Sequence, residues 1–231
     1  MPNDTTSIKQ RYERVVADIA AAARQSVRNP DEILLLGASK EQPAAAIRAL
    51  ASLGLKDFGE NYVQDALEKQ AQLADLPLTW HFIGHIQSNK TRDIANHFDW
   101  VHSVDRLKIA RRLSDQRELP TALNLCLEVN IDEEPSKSGL DPAETAGVAA
   151  EVAGLPNVRL RGLMAIPRPE SDPVLQRAAF RRVRALYEAL RAGGLELDTL
   201  SMGMSADMRA AIAEGATIVR IGTALFGPRP R

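Results

Sequence analysis

Residues 33–40 read Ile33-Leu34-Leu35-Leu36-Gly37-Ala38-Ser39-Lys40, and this stretch sets the fold. A short, nearly continuous apolar run without polar alternation is the pattern of a strand covered on both faces, as in parallel sheets. Upstream, Ile8, Tyr12, Val15, Ile19 and Ala23 recur at spacings of three and four, which predicts a helix over residues 8–24. Downstream, Pro43 opens a second helix and Gly54 closes it.

The same alternation continues along the chain. Strands are predicted at residues 57–60, 78–84, 100–105, 123–130, 159–166, 199–204 and 218–223, each separated from the next by a segment of helical character. In the clearest of these helices, residues 174–191, Leu175, Ala179, Val183, Leu186 and Leu190 share one face, five arginines lie among the other positions, and Gly193-Gly194 ends the run. Strands and helices alternating at this frequency imply parallel βαβ units. With residues 33–40 they make eight, which favours a closed α/β fold, a (β/α)8 TIM-type barrel with an extra N-terminal helix, over an open doubly wound sheet.

The composition agrees. The 231 residues suit one large domain, and no linker or composition shift divides them, so 1–231 is expected to be a single barrel domain. Hydrophobic residues at 45% and charged residues at 26% are ordinary for a packed fold. The 29 Lys+Arg nearly balance the 30 Asp+Glu, for a net charge of -1, so no global field draws the chain to nucleic acid. No apolar run is long enough to span a membrane, and MPNDTTSIKQ lacks the core of a signal peptide, which points to the cytoplasm. Cys126 is the only cysteine; within LNLCLEVN it is expected to be a buried strand residue, and it excludes both an intrachain disulfide and a multi-Cys metal site.

Candidate chemistry gathers at strand ends. Lys40 closes the first strand, where a partly desolvated amine becomes a better nucleophile toward an aldehyde. At the last strand, Gly222 lets backbone approach an anion and Thr223 adds a hydroxyl, while Ser201-Met202-Gly203-Met204-Ser205 supplies small donors after the seventh. Barrels often bind phosphate in those two loops. The loops DEEPSKSG (132–139) and PRPESDP (167–173) follow strand ends on the same side. His81 and His85 are four apart but sit on a strand and its exit, so no helical zinc face forms, no metal is expected, and His81 is expected to be a hydrogen-bonded barrel residue. Ser88 is expected to cap the helix begun by QSNKTRDIA.

GASKEQPAAAIRAL, FGENYVQDA, WHFIGHIQSNK, SKSGL, RGLMAIP, LSMGMSADM and VRIGTALFG resemble, in sequence and order, the pyridoxal-phosphate homeostasis protein family. The likeness covers nearly the whole chain. That family is a single-barrel group related to the N-terminal domain of alanine racemase, so the resemblance implies a fold-type III barrel binding pyridoxal 5′-phosphate (PLP) in vitamin B6 homeostasis. It implies that Lys40 carries PLP as a Schiff base and that Asn61 lines the site. Ser201, Ser205, Gly222 and Thr223 would take the phosphate, with Met204 among the cofactor-binding positions and Met164 near the ring wall. Arg220 would face the pyridine nitrogen. An arginine keeps its proton at physiological pH, which leaves that nitrogen unprotonated and the ring a poor electron sink.

Racemases of this kind also need a second domain whose tyrosine acts from the opposite face. Here the sequence ends at Arg231, and only Tyr12, Tyr62 and Tyr187 exist, Tyr62 being near the proposed site. The expectation is a monomeric PLP carrier without robust catalysis, with apo-forms of PLP enzymes as candidate recipients. Two rivals stand beside it: a low-capacity PLP-dependent amino-acid racemase, and a phosphate-binding barrel enzyme without PLP. Lys137 of SKSG is either a second amine that contacts or receives the cofactor, or a solvated loop lysine.

Overall fold

The apolar run at 33–40 forms a strand hydrogen-bonded on both sides, and the ring closes on it. In the computed structural model, which describes residues 7–134 and 137–227, helix α1 (Ile8–Gln25) precedes strand β1 (Leu34–Ala38). There follow α2 (Ala44–Ser52), β2 (Asp57–Glu60), α3 (Val63–Gln72), β3 (Thr79–Phe82), α4 (Thr91–His97) and β4 (Trp100–Val104). Next come α5 (Leu107–Gln116), β5 (Leu123–Glu128), α6 (Pro142–Ala153), β6 (Val158–Met164) and α7 (Pro173–Ala192). The chain closes with β7 (Thr199–Ser201), α8 (Met208–Ala213), β8 (Ile218–Ile221) and α9 (Thr223–Phe226). All strand pairs are parallel, in the order β1-β2-β3-β4-β5-β6-β7-β8, and β1 pairs with β8. The open doubly wound alternative is thereby excluded.

Local chemistry explains where elements begin. Ser7 and Gln10 form a reciprocal capping box at the start of α1, whose buried Val15, Ile19 and Ala23 lie on the predicted stripe. Asp141 and Asp172 cap α6 and α7 through the N–H groups of Ala143 and Val174, each with proline at the first helical position.

Three expectations are corrected. Strands are shorter at their C-terminal ends than the apolar runs suggest, so Lys40 lies two residues beyond β1 rather than on it. The buried face of α7 is Phe180, Val183, Tyr187 and Leu190, while Leu175 is 53% exposed, because the first turn of the helix lies in solvent. Ser88 does not cap α4. It begins a short 3-10 turn, its carbonyl accepts from Thr91 Oγ1, and α4 starts at Thr91 without a side-chain cap.

The apolar core is a continuous sleeve between strands and helices. Leu36, Cys126, Met164 and Ile218 are buried but stand apart from that cluster. Burial pushes the Cys126 thiol up to about 12, as fits a packed strand residue. Among the described residues, no helix is long and apolar enough to cross a membrane, and no group of His, Cys, Asp and Glu could hold a metal.

Candidate functional site

At the exit of β1 the chain turns sharply. The Ser39 N–H continues the ladder to the Gly59 carbonyl, then Gln42 N–H returns to the Ser39 carbonyl, closing a turn with Lys40 and Glu41 at its centre. Glu41 takes φ of 61°, a left-handed conformation that costs a non-glycine residue about 1 kcal/mol. Strain of that kind persists only where the surroundings fix it. Here they do: Ser39 Oγ donates to Glu60 Oε1 at 2.5 Å, and Lys69 Nζ donates to the same oxygen at 2.8 Å and to the Ser39 carbonyl at 2.9 Å. Lys40 itself is half-buried and makes no hydrogen bond or ion pair with another described residue.

The exit of β8 lies beside that turn, since Gly37 pairs with Ile221. A Cβ added at Gly222 would stand 3.5 Å from the Ala38 carbonyl, an ordinary contact, so the chain's own packing does not demand glycine there. Thr223 follows, exposed. On the other side of that turn, at the exits of β2 and β3, Gly84 lets the Asn61 backbone approach: a Cβ at 84 would fall 2.1 Å from the Asn61 carbonyl oxygen. The Asn61 Oδ1 is buried without a hydrogen-bond partner, an acceptor left for a guest.

Arg220, 5% exposed, sits beneath this mouth. It donates through Nη1 to the Ser201 carbonyl at 2.6 Å and to Ser201 Oγ at 2.8 Å, and through Nη2 to the Ala165 carbonyl at 3.2 Å. Burial lowers its pKa to about 10, which still leaves it a cation at neutral pH. Met164, buried at the end of β6, pairs with Ser201 and forms wall.

The structure thus brings Lys40, Gly222 and Thr223 to neighbouring strand exits, with Asn61 and Arg220 opening on the same end of the barrel. It does not gather the serines. Ser201 is fully buried with its hydroxyl taken by Arg220 and His102, whereas Ser205 is exposed and borders an outer cleft of about 570 Å³ beside α1 and α8. Met204 is 38% exposed and its N–H is taken by Asp207 Oδ1. Lys137 Nζ pairs with Glu134 Oε1 at 2.6 Å, while Pro135 and Ser136 of the same loop lie outside the described residues. Tyr62 is 58% exposed and, with Asn61 and His85, borders a cleft of about 410 Å³.

Several residues escaped the sequence reading. His81 is hydrogen-bonded inside the barrel as expected, but its partner His102 was not anticipated; each is the polar residue that alternates with outward apolar ones, Trp80 and Phe82 about His81 in TWHF and Val101 beside His102 in WVHSV, which is the available signal. Glu128 is a second. Burial and then Asp105 push its carboxyl up to about 7, against the pull of Arg220. Lys69 is a third, and no spacing in the sequence pointed to it.

A family model for the alanine racemase N-terminal domain matches residues 38–230. The pyridoxal phosphate homeostasis protein of Pseudomonas aeruginosa is 59% identical over 226 residues, covering 97% of this chain and 96% of its own. That of Escherichia coli K12 is 52% identical over 227 residues, covering 96% and 97%. Among solved structures, PipY of Synechococcus elongatus without PLP superposes with a TM-score of 0.82 at 43% identity, and with PLP bound at 0.81 and 42%; both cover 92% of this chain and 100% of that one. Alanine racemase of Clostridium difficile, at 14% identity and a TM-score of 0.72, covers 94% of this chain and 57% of its own, and shares the fold alone.

Proposed function

The chain belongs to the alanine racemase N-terminal-domain family and, within it, to the pyridoxal phosphate homeostasis proteins, and from that premise we propose that it carries PLP on Lys40 in vitamin B6 homeostasis. One observation carries the reading. The unpaired amine of Lys40 stands on a strained turn directly beside the Gly222-Thr223 exit, in a barrel 42% identical to one solved with PLP bound.

The residues present fit such a guest. The Lys40 amine condenses with the aldehyde carbon, releasing water and forming a reversible Schiff base. Gly222 and Thr223 receive the phosphate, with Met204 and Ser205 on the separate loop that follows β7. Asn61 offers its unpaired oxygen, Met164 walls the ring, and Arg220 opposes the pyridine nitrogen as a cation. Bound PLP supplies an electron sink, which this cationic neighbour weakens by keeping the ring nitrogen unprotonated. Ser201, with its hydroxyl already engaged, supports Arg220 rather than the phosphate.

This arrangement suits storage and hand-over of a reactive aldehyde more than catalysis. The relatives at 52–59% identity are named for homeostasis, and the likeness to alanine racemase is one of fold. On this reading residues 1–231 act as one domain, a monomer in the cytoplasm, and apo-forms of PLP enzymes receive the cofactor.

The test is an absorption spectrum of the purified protein with PLP, followed by borohydride reduction and mass spectrometry. A Schiff-base band, and an adduct on Lys40 that Lys40→Ala abolishes, are the expected results. An adduct confined to other lysines would overturn the site. Sustained exchange of amino-acid α-hydrogens in deuterated water would overturn the carrier reading.

A further inference from the structure

A file of buried polar side chains crosses the inside of the barrel from the site to its opposite rim. Arg220 Nη1 lies 2.8 Å from Ser201 Oγ, Ser201 Oγ 2.7 Å from His102 Nδ1, His102 Nε2 2.9 Å from His81 Nδ1, and His81 Nε2 3.1 Å from Asp57 Oδ1. Ser201, His81 and His102 are fully buried, and Arg220 nearly so. The residues come from β8, β7, β4, β3 and β2, so the file links strands far apart around the ring.

Counting hydrogens gives the file a direction. A guanidinium only donates and a carboxylate only accepts. If Asp57 accepts from His81 Nε2–H, a neutral His81 presents a bare Nδ1, which accepts from His102 Nε2–H. His102 then presents a bare Nδ1 to the Ser201 hydroxyl, whose proton points away from Arg220 and whose lone pairs face its Nη1–H. Every group is satisfied. The reverse order would have Ser201 Oγ accept from both His102 and Arg220, leaving the hydroxyl proton without an acceptor among the described residues. Burial, with His81 and Arg220 beside it, holds His102 well below the usual imidazole range, in keeping with a neutral ring.

We propose that His102 is a positioning residue for the cofactor site: by fixing the Ser201 hydroxyl as an acceptor toward Arg220, it holds the guanidinium in place opposite the pyridine nitrogen of PLP. This rests on the PLP reading above. Ser201 consequently belongs to the ring end of the site, not the phosphate end. Partner groups are aligned before the ligand arrives, and each bond polarises the next.

Two measurements test it. In the PLP-free protein, 15N spectra of the imidazoles should show both His81 and His102 neutral with the proton on Nε2; a proton on His102 Nδ1 would overturn the directed file. In the loaded protein, Ser201→Ala and His102→Leu should each weaken PLP binding about tenfold and shift its absorption maximum, with no further loss in the double variant. Pyridoxal, which lacks the phosphate, should be weakened by the same factor. His102→Gln, with an acceptor and a donor at its tip, should restore much of the wild-type spectrum. Folded variants with wild-type spectra and affinity, or a penalty confined to PLP and absent for pyridoxal, would overturn the proposal. Wild-type protein that takes up no PLP would instead sink the reading of the site, while the tautomer spectrum still decides the file.

Discussion

Between the strands and the helices, Phe58, Phe82, Phe98, Leu113 and Phe180 join one continuous apolar sleeve; inside the ring of strands, Asp57, His81, His102, Ser201 and Arg220 form a hydrogen-bonded file. The sleeve is held by buried area and close packing, which have little direction. The bore is held by matched donors and acceptors in a low-dielectric setting, where a stranded group costs more than a made bond returns. The contrast separates two duties: the sleeve keeps the barrel closed, and the bore presents a cation at its mouth.

The largest expected effect belongs to the sleeve. Phe180 is among its fully buried large side chains, and Phe180→Ala should cost about 3–5 kcal/mol. For a chain of this size that lowers Tm by roughly 10 °C. The spectrum of bound PLP should not change, and a shifted spectrum would break the division between sleeve and bore.

A charged pair interrupts the upper edge of the sleeve. Glu60 is fully buried and Lys69 nearly so, and they hold Ser39 behind Lys40, Lys69 by its carbonyl and Glu60 by its hydroxyl. Lys69→Met strands Glu60 and should cost about 3 kcal/mol. Adding Glu60→Gln should recover much of that loss, because the remaining group is then uncharged. Unlike Phe180→Ala, the single variant should also weaken PLP binding, since the turn that carries Lys40 loses its support. Stability loss with unchanged PLP affinity would remove Lys69 from the site's foundations.

Glu128 carries the contrast into pH dependence. Its carboxyl rises from an ordinary 4.5 to about 7, chiefly through burial and then through Asp105. A carboxyl with a raised folded-state pKa binds its proton more tightly in the native state, so the fold loses stability as pH climbs from about 4.5 through about 7. Glu128→Gln should therefore match wild type below that window and exceed it by about 3 kcal/mol above it. Urea melts at several pH values read this directly. A constant offset at all pH values would show that Glu128 is not the titrating group.

The sleeve was far more legible in the sequence than the bore. Runs such as residues 33–40 announce strands covered on both faces, and the stripe Val15, Ile19, Ala23 announces the first helix and its buried face. Lys40, Gly222 and Thr223 were readable because strand exits in a barrel converge. The file was not, because its members lie on five strands, and no local spacing tells that His81 and His102 meet or that the Ser201 hydroxyl turns inward to Arg220. Lys69 was hidden for a similar reason: on a helix it reads as a solvated lysine until Glu60 is placed beneath it. Strand ends were overcalled for a different reason. Apolar residues continue past the regular strand, as Met202 does after β7, where its N–H still bonds the Ile218 carbonyl and its side chain joins the sleeve.

The smallest expected effect sharpens the comparison from outside the sleeve. Asp172 Oδ1 accepts from Val174 N–H at 2.8 Å at the start of α7, a helix whose first turn buries neither Val174 nor Leu175. The cap therefore acts almost alone on that end. Asp172→Ala should cost about 1 kcal/mol and lower Tm by roughly 2–4 °C. Amide exchange should quicken in the first turn of α7 and stay unchanged from Phe180 onward, where the sleeve takes over. If protection fell along the whole helix, the sleeve would depend on the cap, and the independence of outer shell and packed interior would fail at its weakest point.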